Sequence, residues 1–363
     1  MATADGTWRY RERFGDGFGR TFFRRFPPGV CSSVGIGTYL GAPTDAVDDQ
    51  YRAAIESALE HGINHVDTAV NYRCQRSERA VGEALSTTDV DREAIVVSTK
   101  GGFVPFDGER PADPAQYVRE QFVEPGLVTP DSLVRGSHSL EPTFIDAMVE
   151  RSLSNLGVES VDCYYLHNPE TQLLDVEHAA LYDQLEAAFE LLERRRAAGD
   201  IGVYGLATWQ AFRVDDSHPQ YLSLPAVLDR AQAAAETVGT GDDHGLRVIQ
   251  LPFNVDMADA FTVKAQPTDE GPVSVLEYVH DSELSVVTSA SLGQGDLAAA
   301  IPPAVDAELS GDTAAQRAIN FARSAPGVTC SLVGMSSVDH AAENIAAGTF
   351  DPLGASAFDT IFE

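Results

Sequence analysis

The sequence predicts an α/β protein built as a closed (β/α)8 barrel. Eight short runs rich in β-branched and other apolar residues recur along the 363 residues, and longer segments with helical spacing of apolar residues lie between them. Runs that are apolar on both faces and are followed by helices are typical of a parallel sheet covered by helices. The GIGTYLG segment at 35–41 lacks the third Gly of a G-x-G-x-x-G loop, and no helix begins there, so a closed barrel is favoured over a doubly wound sheet.

The elements follow in order along the chain. The predicted strands are 31–39, 62–69, 94–100, 160–167, 201–208, 246–253, 284–291 and 328–334. The predicted helices are 46–62, 76–86, 143–157, 177–199, 223–239, 272–280, 314–324 and 337–348. Several helices close on a Gly, the residue preferred just past a helix C-terminus, and the helix at 177–199 carries its Arg cluster at the end that the helix dipole favours.

Residues 1–363 are predicted to form a single domain in which two segments stand outside the repeat. Residues 1–28 alternate and turn at Gly-Asp-Gly, which predicts a β-hairpin, and they hold six Arg against three acids. This basic segment is either a patch for an anion or a partner, or, the favoured interpretation, a hairpin under the barrel with its Arg paired to acids. Residues 101–142 are an insertion after the third strand, and so long a loop is usually a lid or binding loop at the active-site face.

The composition is globular but strongly acidic. The formal charge is −30, from 55 acidic and 25 basic residues, and only Lys100 and Lys264 are lysines. Such a chain repels phosphate backbones and anionic membrane surfaces, so nucleic-acid and membrane partners are not expected. Acid-rich, Lys-poor sequences favour a halophilic origin over a merely acidic proteome, because high salt screens the self-repulsion.

The cysteines are predicted to be free thiols in the cytoplasm. The four Cys residues show no C-x-x-C spacing, a chain of this size needs no disulfides, and the N-terminus has no apolar signal-peptide region. We therefore expect no metal site, and the sequence has no H-E-x-x-H motif. It also has no G-x-S-x-G motif, so a hydrolase is not supported.

Polar residues follow the apolar part of three successive predicted strands. The second strand ends at Asp67 and is followed five residues later by Tyr72, the third ends at Lys100, and the fourth ends at His167. In a barrel these positions converge at the carboxyl-terminal face, where active sites lie. The spacing therefore predicts one cluster of Asp, Tyr, Lys and His.

These four residue types are suited to proton chemistry at a carbonyl group. A Tyr phenol has a pKa near ~10. A neighbouring ammonium is expected to lower that pKa, and a carboxylate beside the Lys keeps it charged and in place. A nearby His can donate to a substrate carbonyl or help to relay the proton. The predicted reaction is protonation of a carbonyl oxygen while hydride reaches the carbon.

At these positions the sequence resembles the aldo-keto reductases. HVDTAVNYRCQRSERAVGEAL looks like the family's DTA-x-x-Y followed by S-E-x-x-x-G, VVSTKGG holds the Lys, and SLSNLGVESVDCYYLHNP is similar to the family's Y-x-x-H segment. GMSSVDHAAENIAA resembles the C-terminal cofactor loop, so the likeness spans residues 31–348. It implies a TIM barrel in which Asp67, Tyr72, Lys100 and His167 are the catalytic residues, with Tyr72 the general acid.

The resemblance also implies the cofactor, NADP(H) or NAD(H), and the residues that bind it. Those residues are Thr38, Thr208, Gln250, Ser289, Ser291, Leu292, Gly293, Gln294, Gly334, Ser336, His340, Glu343 and Asn344. Where the family often has an aromatic that stacks on the nicotinamide, this chain has Ser289, and the Arg or Lys that often grips a 2′-phosphate is missing. Candidate substrate residues are Trp209, Tyr39 and His138. For His138, in the long insertion, a solvated loop histidine is the favoured interpretation.

The predicted function is an NAD(P)H-dependent oxidoreductase that reduces a small aldehyde or ketone, or oxidises the alcohol. The alternative is a cofactor-binding regulatory or scaffold protein of the same fold with negligible turnover. The four catalytic residues favour the enzyme, whereas the altered cofactor contacts keep the alternative open.

Overall fold

The computed structural model describes residues 1–241, 243–280 and 282–362. Its centre is a closed, parallel eight-stranded barrel in the order β11-β12-β3-β4-β5-β6-β7-β8. The described strands are β1 Phe23–Phe26, β2 Gly29–Ser32, β3 Val34–Gly37, β4 His65–Asp67, β5 Val96–Gly101, β6 Val161–His167, β7 Ile201–Ala207, β8 Leu246–Pro252, β9 Lys264–Gln266, β10 Val273–Ser274, β11 Ser285–Ser289 and β12 Val328–Gly334. Each predicted run overlaps one barrel strand, so the predicted (β/α)8 barrel is confirmed, although residues 31–32 of the first run belong to the hairpin strand β2.

Helices surround the barrel and cover its outer face. They are α1 Ala4–Phe14, α2 Asp45–Glu60, α3 Arg76–Thr87, α4 Pro114–Val118, α5 Pro142–Leu156, α6 His178–Ala198, α7 Leu224–Val238, α8 Asp259–Thr262, α9 Val275–His280, α10 Asp296–Ala299, α11 Pro303–Asp306, α12 Ala314–Ser324, α13 Val338–Ala347 and α14 Ala355–Asp359. One large core lies between strands and helices, and a smaller core fills the barrel. No helix in the described ranges is long and apolar enough to cross a bilayer.

The N-terminal segment differs from the prediction of a hairpin over residues 1–28. Residues 4–14 form helix α1, and the hairpin is the β1–β2 pair over residues 23–32. The helix begins where Thr3 accepts a hydrogen bond from the Gly6 amide. Its aromatic residues Tyr10 and Phe14 are four positions apart and pack with their ring centroids at 4.7 Å. Residues four positions apart lie on the same face of a helix. The alternation of polar and apolar residues in this segment suggests a strand instead.

The β1–β2 hairpin closes the amino-terminal end of the barrel. Phe26 packs with its ring 5.2 Å from His65, the first residue of β4. Arg24 donates to the carbonyl oxygens of Val328 and Arg323, each at 2.6 Å. The Arg residues here are therefore not all paired with acids as predicted, because Arg24 satisfies backbone carbonyls. Among the described residues of this segment, Arg9 of the helix forms such pairs, with Asp5 at 3.2 Å and with Glu93 at 3.5 Å.

The 101–142 insertion packs onto the barrel instead of hanging in solvent. It contains α4, and the ring of Phe122 is fully buried 5.9 Å from Phe144 of α5. Its first residues extend β5 and bring Phe103 beside His167, with ring centroids 5.1 Å apart. The insertion thus contributes one wall of the carboxyl-terminal face.

Candidate active site

The four predicted catalytic residues come together at the carboxyl ends of three adjacent strands. Asp67 is the last residue of β4, Lys100 is the fifth of the six residues of β5, and His167 ends β6. Tyr72 opens the 3₁₀ turn Tyr72–Gln75 that follows β4. Because the strands are parallel, their carboxyl ends share one face, and the loop after β4 brings Tyr72 back over it.

Lys100 is held by an ion pair inside the barrel. Its ammonium donates to a carboxylate oxygen of Asp67 and, at 2.8 Å, to the carbonyl oxygen of Thr68. Both side chains are buried, and Gln250 donates its amide N–H to the other Asp67 oxygen at 3.0 Å. Burial lowers the pKa of Lys100, but Asp67 and Tyr72 beside it raise the pKa more, so the ammonium stays charged.

The Tyr72 phenol lies between Lys100 and His167. The Lys100 nitrogen is 4.9 Å from the centre of the Tyr72 ring, and the His167 ring centroid is 5.7 Å away. Burial raises the pKa of Tyr72 above its ordinary value of 10.0, Lys100 lowers it, Asp67 raises it, and the result is a raised pKa. The expected lowering by Lys100 is present but smaller than the effect of burial. Tyr72 therefore carries its proton at neutral pH.

His167 is held as a neutral imidazole. Burial, the Lys100 ammonium and His138 lower the pKa of His167 well below its ordinary value. Its Nδ1 is buried and has no hydrogen-bond partner among the described residues. A neutral ring keeps one N–H donor, so His167 can donate to an oxygen that approaches Tyr72.

His138 lies behind His167, within the 101–142 insertion. It is fully buried, and its Nε2 lies 2.7 Å from the carbonyl oxygen of His167. The Gln172 amide donates to His138 Nδ1 at 2.7 Å, which leaves Nε2–H to donate to that carbonyl. His138 is therefore not the solvated loop histidine that the sequence favours, and it does not line the cavity, because the insertion that carries it packs against the barrel. Its part is to support the His167 backbone.

A deep cavity of about 890 Å³ opens above this cluster. Its lining includes the catalytic candidates Asp67, Tyr72 and His167, whereas Lys100 lies buried beneath it. Of the predicted cofactor residues, the lining includes Thr38, Thr208, Gln250, Ser289, Ser291, Leu292, Gln294, Gly334, Ser336, His340, Glu343 and Asn344; Gly293 does not line it. The candidate substrate residues Trp209 and Tyr39 stand at its exposed mouth.

One end of the cavity has the features of an anion-binding cradle. The loop after β11 has positive φ angles at Gly293 (53°), Gln294 (58°) and Gly295 (109°), and its tight turns are closed by the N–H groups of Gly293 and Gly295. Gln294 and Gly295 line the cavity. The hydroxyl of Ser291 is buried without a partner among the described residues. Helix α13 begins at the same end, and a helix N-terminus favours phosphate. These residues fit a dinucleotide.

No Arg or Lys lines the cavity within the described ranges. Arg317 pairs with Asp306 at 2.5 Å. Arg323 is fully buried and donates to carbonyl oxygens such as that of Ala347, at 2.9 Å. Neither guanidinium therefore faces the cradle.

Three residues that shape the cavity were not predicted. Phe103 forms one wall, and Asn168 lines the site with a left-handed backbone (φ 46°) directly after β6. The carboxylate of Glu170 accepts the amide N–H of Trp209 at 2.6 Å and so fixes the loop after β7. Of these three residues, only Asn168 could have been predicted from the sequence to lie at the site, because it directly follows the end of a predicted strand.

The structure thus combines a parallel α/β barrel with a buried Asp–Lys pair that lies beneath a Tyr and a His at the floor of a deep cleft. Residues 33–224 match the aldo/keto reductase family, which is more than half of the chain. The chain belongs to the aldo/keto reductase family.

Two curated relatives match part of the chain. A D-threo-aldose 1-dehydrogenase from Pseudomonas is 33% identical over 161 residues, which cover 44% of each protein. An NADH-specific methylglyoxal reductase from Escherichia coli is 32% identical over 143 residues, 38% of each protein. The chain thus matches less than half the length of these relatives.

Solved structures match nearly the whole fold. An aldo-keto reductase from Bacillus halodurans in its holo form has a TM-score of 0.64 and 19% identity, covering 94% of this chain and 96% of that one. An aldo/keto reductase from Klebsiella pneumoniae in complex with NADP and acetate has a TM-score of 0.61 and 17% identity, covering 94% of each. At these identities the likeness concerns the fold.

Proposed function

We propose that the protein is an NAD(P)H-dependent oxidoreductase that reduces a small aldehyde or ketone, or oxidises the corresponding alcohol. The observation that carries the proposal is Tyr72, a phenol that keeps its proton beside a charged Lys100 at the floor of a deep cavity. A general acid must be protonated at working pH and within reach of its substrate, and this arrangement meets both needs.

Each of the four residues then has a distinct part. Tyr72 donates its proton to the carbonyl oxygen, and His167 offers a neutral N–H to the same oxygen. Lys100 stabilises the negative charge that develops on the phenol oxygen as the proton leaves. Asp67, itself held by Gln250, keeps Lys100 charged and oriented. In alcohol oxidation the same groups act in reverse.

The residues that would hold the nicotinamide cofactor are those around the cradle and along the cavity. The β11 loop with Ser291 and the start of α13 would bind the phosphates of the cofactor. Gln250 and Thr208 would face its nicotinamide amide, since Gln250 uses one N–H for Asp67 and keeps its Oε1 and second N–H for the cofactor. When bound, the reduced nicotinamide supplies the hydride. The names of the relatives, an aldose dehydrogenase and a methylglyoxal reductase, support small oxygenated carbonyl compounds as the substrate class.

We also infer a cytoplasmic, halophilic setting. Four cysteines without a disulfide in the structure support a reducing compartment. The net charge of −30 with two lysines supports adaptation to salt.

A two-stage experiment tests the function. Cofactor binding is measured first, by quenching of protein fluorescence with NADPH and NADH in concentrated KCl. Aldehydes and ketones, methylglyoxal among them, and aldoses are then screened for turnover, with the Tyr72→Phe protein as the matched control. We expect turnover that the variant loses. Binding of cofactor without turnover on any carbonyl compound or aldose would favour the regulatory or scaffold alternative.

A further inference from the structure

Three buried side chains with metal-binding chemistry meet at the amino-terminal end of the barrel. They are Cys31 of β2, His65 of β4 and Cys330 of β12, and each is fully buried. One ligand atom from each residue lies within 4.8 Å of the other two. Sequence spacing did not reveal this group, because positions 31, 65 and 330 come from three distant segments.

The imidazole of His65 has one nitrogen without a partner. Its Nε2 lies 2.6 Å from the Ser98 hydroxyl, whereas Nδ1 is buried and unpaired within the described residues. A buried polar atom without a hydrogen bond costs free energy, so such an atom in a native protein calls for a ligand or another explanation. The Ser98 contact fixes the ring orientation and leaves Nδ1 as the free ligand atom, as outer contacts do around metal sites.

The two sulfurs also have the chemistry and the space that a metal site needs. The thiolate is the form that binds metals. At Gly35, a Cβ would stand 2.8 Å from the Cys330 sulfur, so a larger residue there would crowd that sulfur.

We propose that Cys31, Cys330 and His65 Nδ1 bind one thiophilic metal ion of the Zn²⁺ and Cu⁺ class. Soft thiolates with an imidazole prefer these ions to Mg²⁺ or Ca²⁺. Two thiolates neutralise Zn²⁺, which suits the apolar interior around the site. With Cu⁺ one negative charge remains, and the half-buried Arg24 guanidinium is a nearby cation that offsets it.

The bound ion would join the N-terminal hairpin to two barrel strands. Cys31 lies on the hairpin, whereas His65 and Cys330 lie on strands at opposite ends of the chain. The site is one layer below Asp67, which follows His65 by two positions and therefore shares its face of β4. Metal binding is thus expected to stabilise the fold.

Metal counting on refolded protein tests the proposal. The full chain is unfolded in guanidinium with a reductant and a chelator, and refolded with Zn²⁺, with Cu⁺ under anaerobic conditions, or with neither. We expect one ion per chain that survives dialysis, a higher Tm in the refolded metal-bound protein, and a thiolate charge-transfer band when Co²⁺ replaces Zn²⁺. Cys31→Ala and Cys330→Ala should each abolish binding, whereas Cys163→Ala, a buried thiol outside the group, should retain it.

Three results would overturn the proposal. The first is that the wild-type protein keeps neither Zn²⁺ nor Cu⁺ in stoichiometric amount. The second is that metal remains bound in Cys31→Ala. The third is a Cys31–Cys330 disulfide, detected as the loss of two hydrogen masses, in protein purified under anaerobic conditions. The first result is decisive even if the variants fail to fold. Because every readout is metal content or stability, the outcome is independent of whether the protein reduces carbonyl compounds.

Discussion

At the scale of single residues, the proton on Tyr72 depends on two opposed influences. Burial raises the pKa of the phenol, and the Lys100 ammonium lowers it. The phenol therefore stays protonated in the resting protein, while a charged group stands ready to stabilise its conjugate base. This balance makes the Tyr72–Lys100 pair the point at which a substitution should affect turnover most.

We expect Tyr72→Phe to reduce kcat by about 10²–10⁴-fold, because that is the usual contribution of a general acid. Lys100→Met should cause comparable damage, since it also leaves Asp67 as a buried, unpaired carboxylate. The affinity for the cofactor should change little in Tyr72→Phe, because the cradle lies elsewhere in the cavity. Steady-state kinetics and fluorescence titration measure the two quantities. A loss of kcat below tenfold in Tyr72→Phe would exclude it as the proton donor.

The pKa shifts also predict the pH dependence of carbonyl reduction. A general acid works below its pKa, so kcat should hold from mildly acidic to neutral pH and fall only when Tyr72 ionises, above its ordinary value of 10.0. The pKa of His167 lies well below its ordinary value of 6.5, so no break should occur there. A kcat profile with a break near pH 6.5 that disappears in His167→Asn would contradict a neutral His167.

At the scale of elements, the sequence predicts the strands far better than the N-terminus. Runs such as 160–167 are buried on both faces, so their apolar character marks them as strands. Their ends then locate Asp67, Lys100 and His167 without further information, since parallel strands share one face. The first fourteen residues contain a helix where the sequence predicts part of a hairpin. The reason is that Arg9, Arg11 and Arg13 of this short helix stand at alternate positions, as polar residues do in a strand.

The buried surroundings of the site could not be read from any local pattern. His138 lies in a long insertion, and its contact with the His167 carbonyl depends on how that insertion folds back on the barrel. The same is true of the wall residue Phe103 and of the cluster of Cys31, His65 and Cys330 at the amino-terminal end of the barrel, whose contacts join segments that are distant in sequence. Tertiary packing, not periodicity, determines these contacts.

The start of helix α13 predicts weak discrimination between cofactors. Ser336 and His340 line the cavity, at positions where the resemblance to the family implies that an Arg or Lys often meets a 2′-phosphate. A charge-assisted hydrogen bond contributes roughly 1.5–3 kcal/mol, and its loss corresponds to a factor of up to about a hundred. We expect a preference for NADPH below about a hundredfold and measurable turnover with NADH, from kcat/KM with each cofactor at fixed salt.

A designed cation tests this reading of α13. Ser336→Arg should raise the preference for NADPH, because it places a guanidinium in the cavity wall. Val338→Arg is the matched control, since Val338 is 46% exposed and does not line the cavity. A wild-type preference above a thousandfold would mean that another cation of the chain reaches the phosphate.

At the scale of the whole molecule, the charge sets the conditions under which the fold is stable. Even if every one of the 25 Lys and Arg residues paired with an acid, 30 of the 55 acids would remain. Their mutual repulsion disfavours the compact state, and salt weakens it, since the screening length falls from about 10 Å at 0.1 M to about 3 Å at 1 M. Buried pairs such as Lys100–Asp67 are screened much less, so the active-site cluster should persist in concentrated salt.

We therefore expect Tm to rise steadily between about 0.1 M and molar KCl. The reason is the screening of surface carboxylates, so sucrose at matched osmolality, which brings no ions, should reproduce only a small part of the rise. A variant in which the exposed Asp131, Asp269, Glu270 and Glu308 become amides should start from a higher Tm in dilute buffer and gain less from KCl. Differential scanning calorimetry of both proteins across the series measures these effects. A Tm that does not change between dilute and molar KCl, or that sucrose raises as much as KCl does, would show that the −30 charge is not an adaptation to salt.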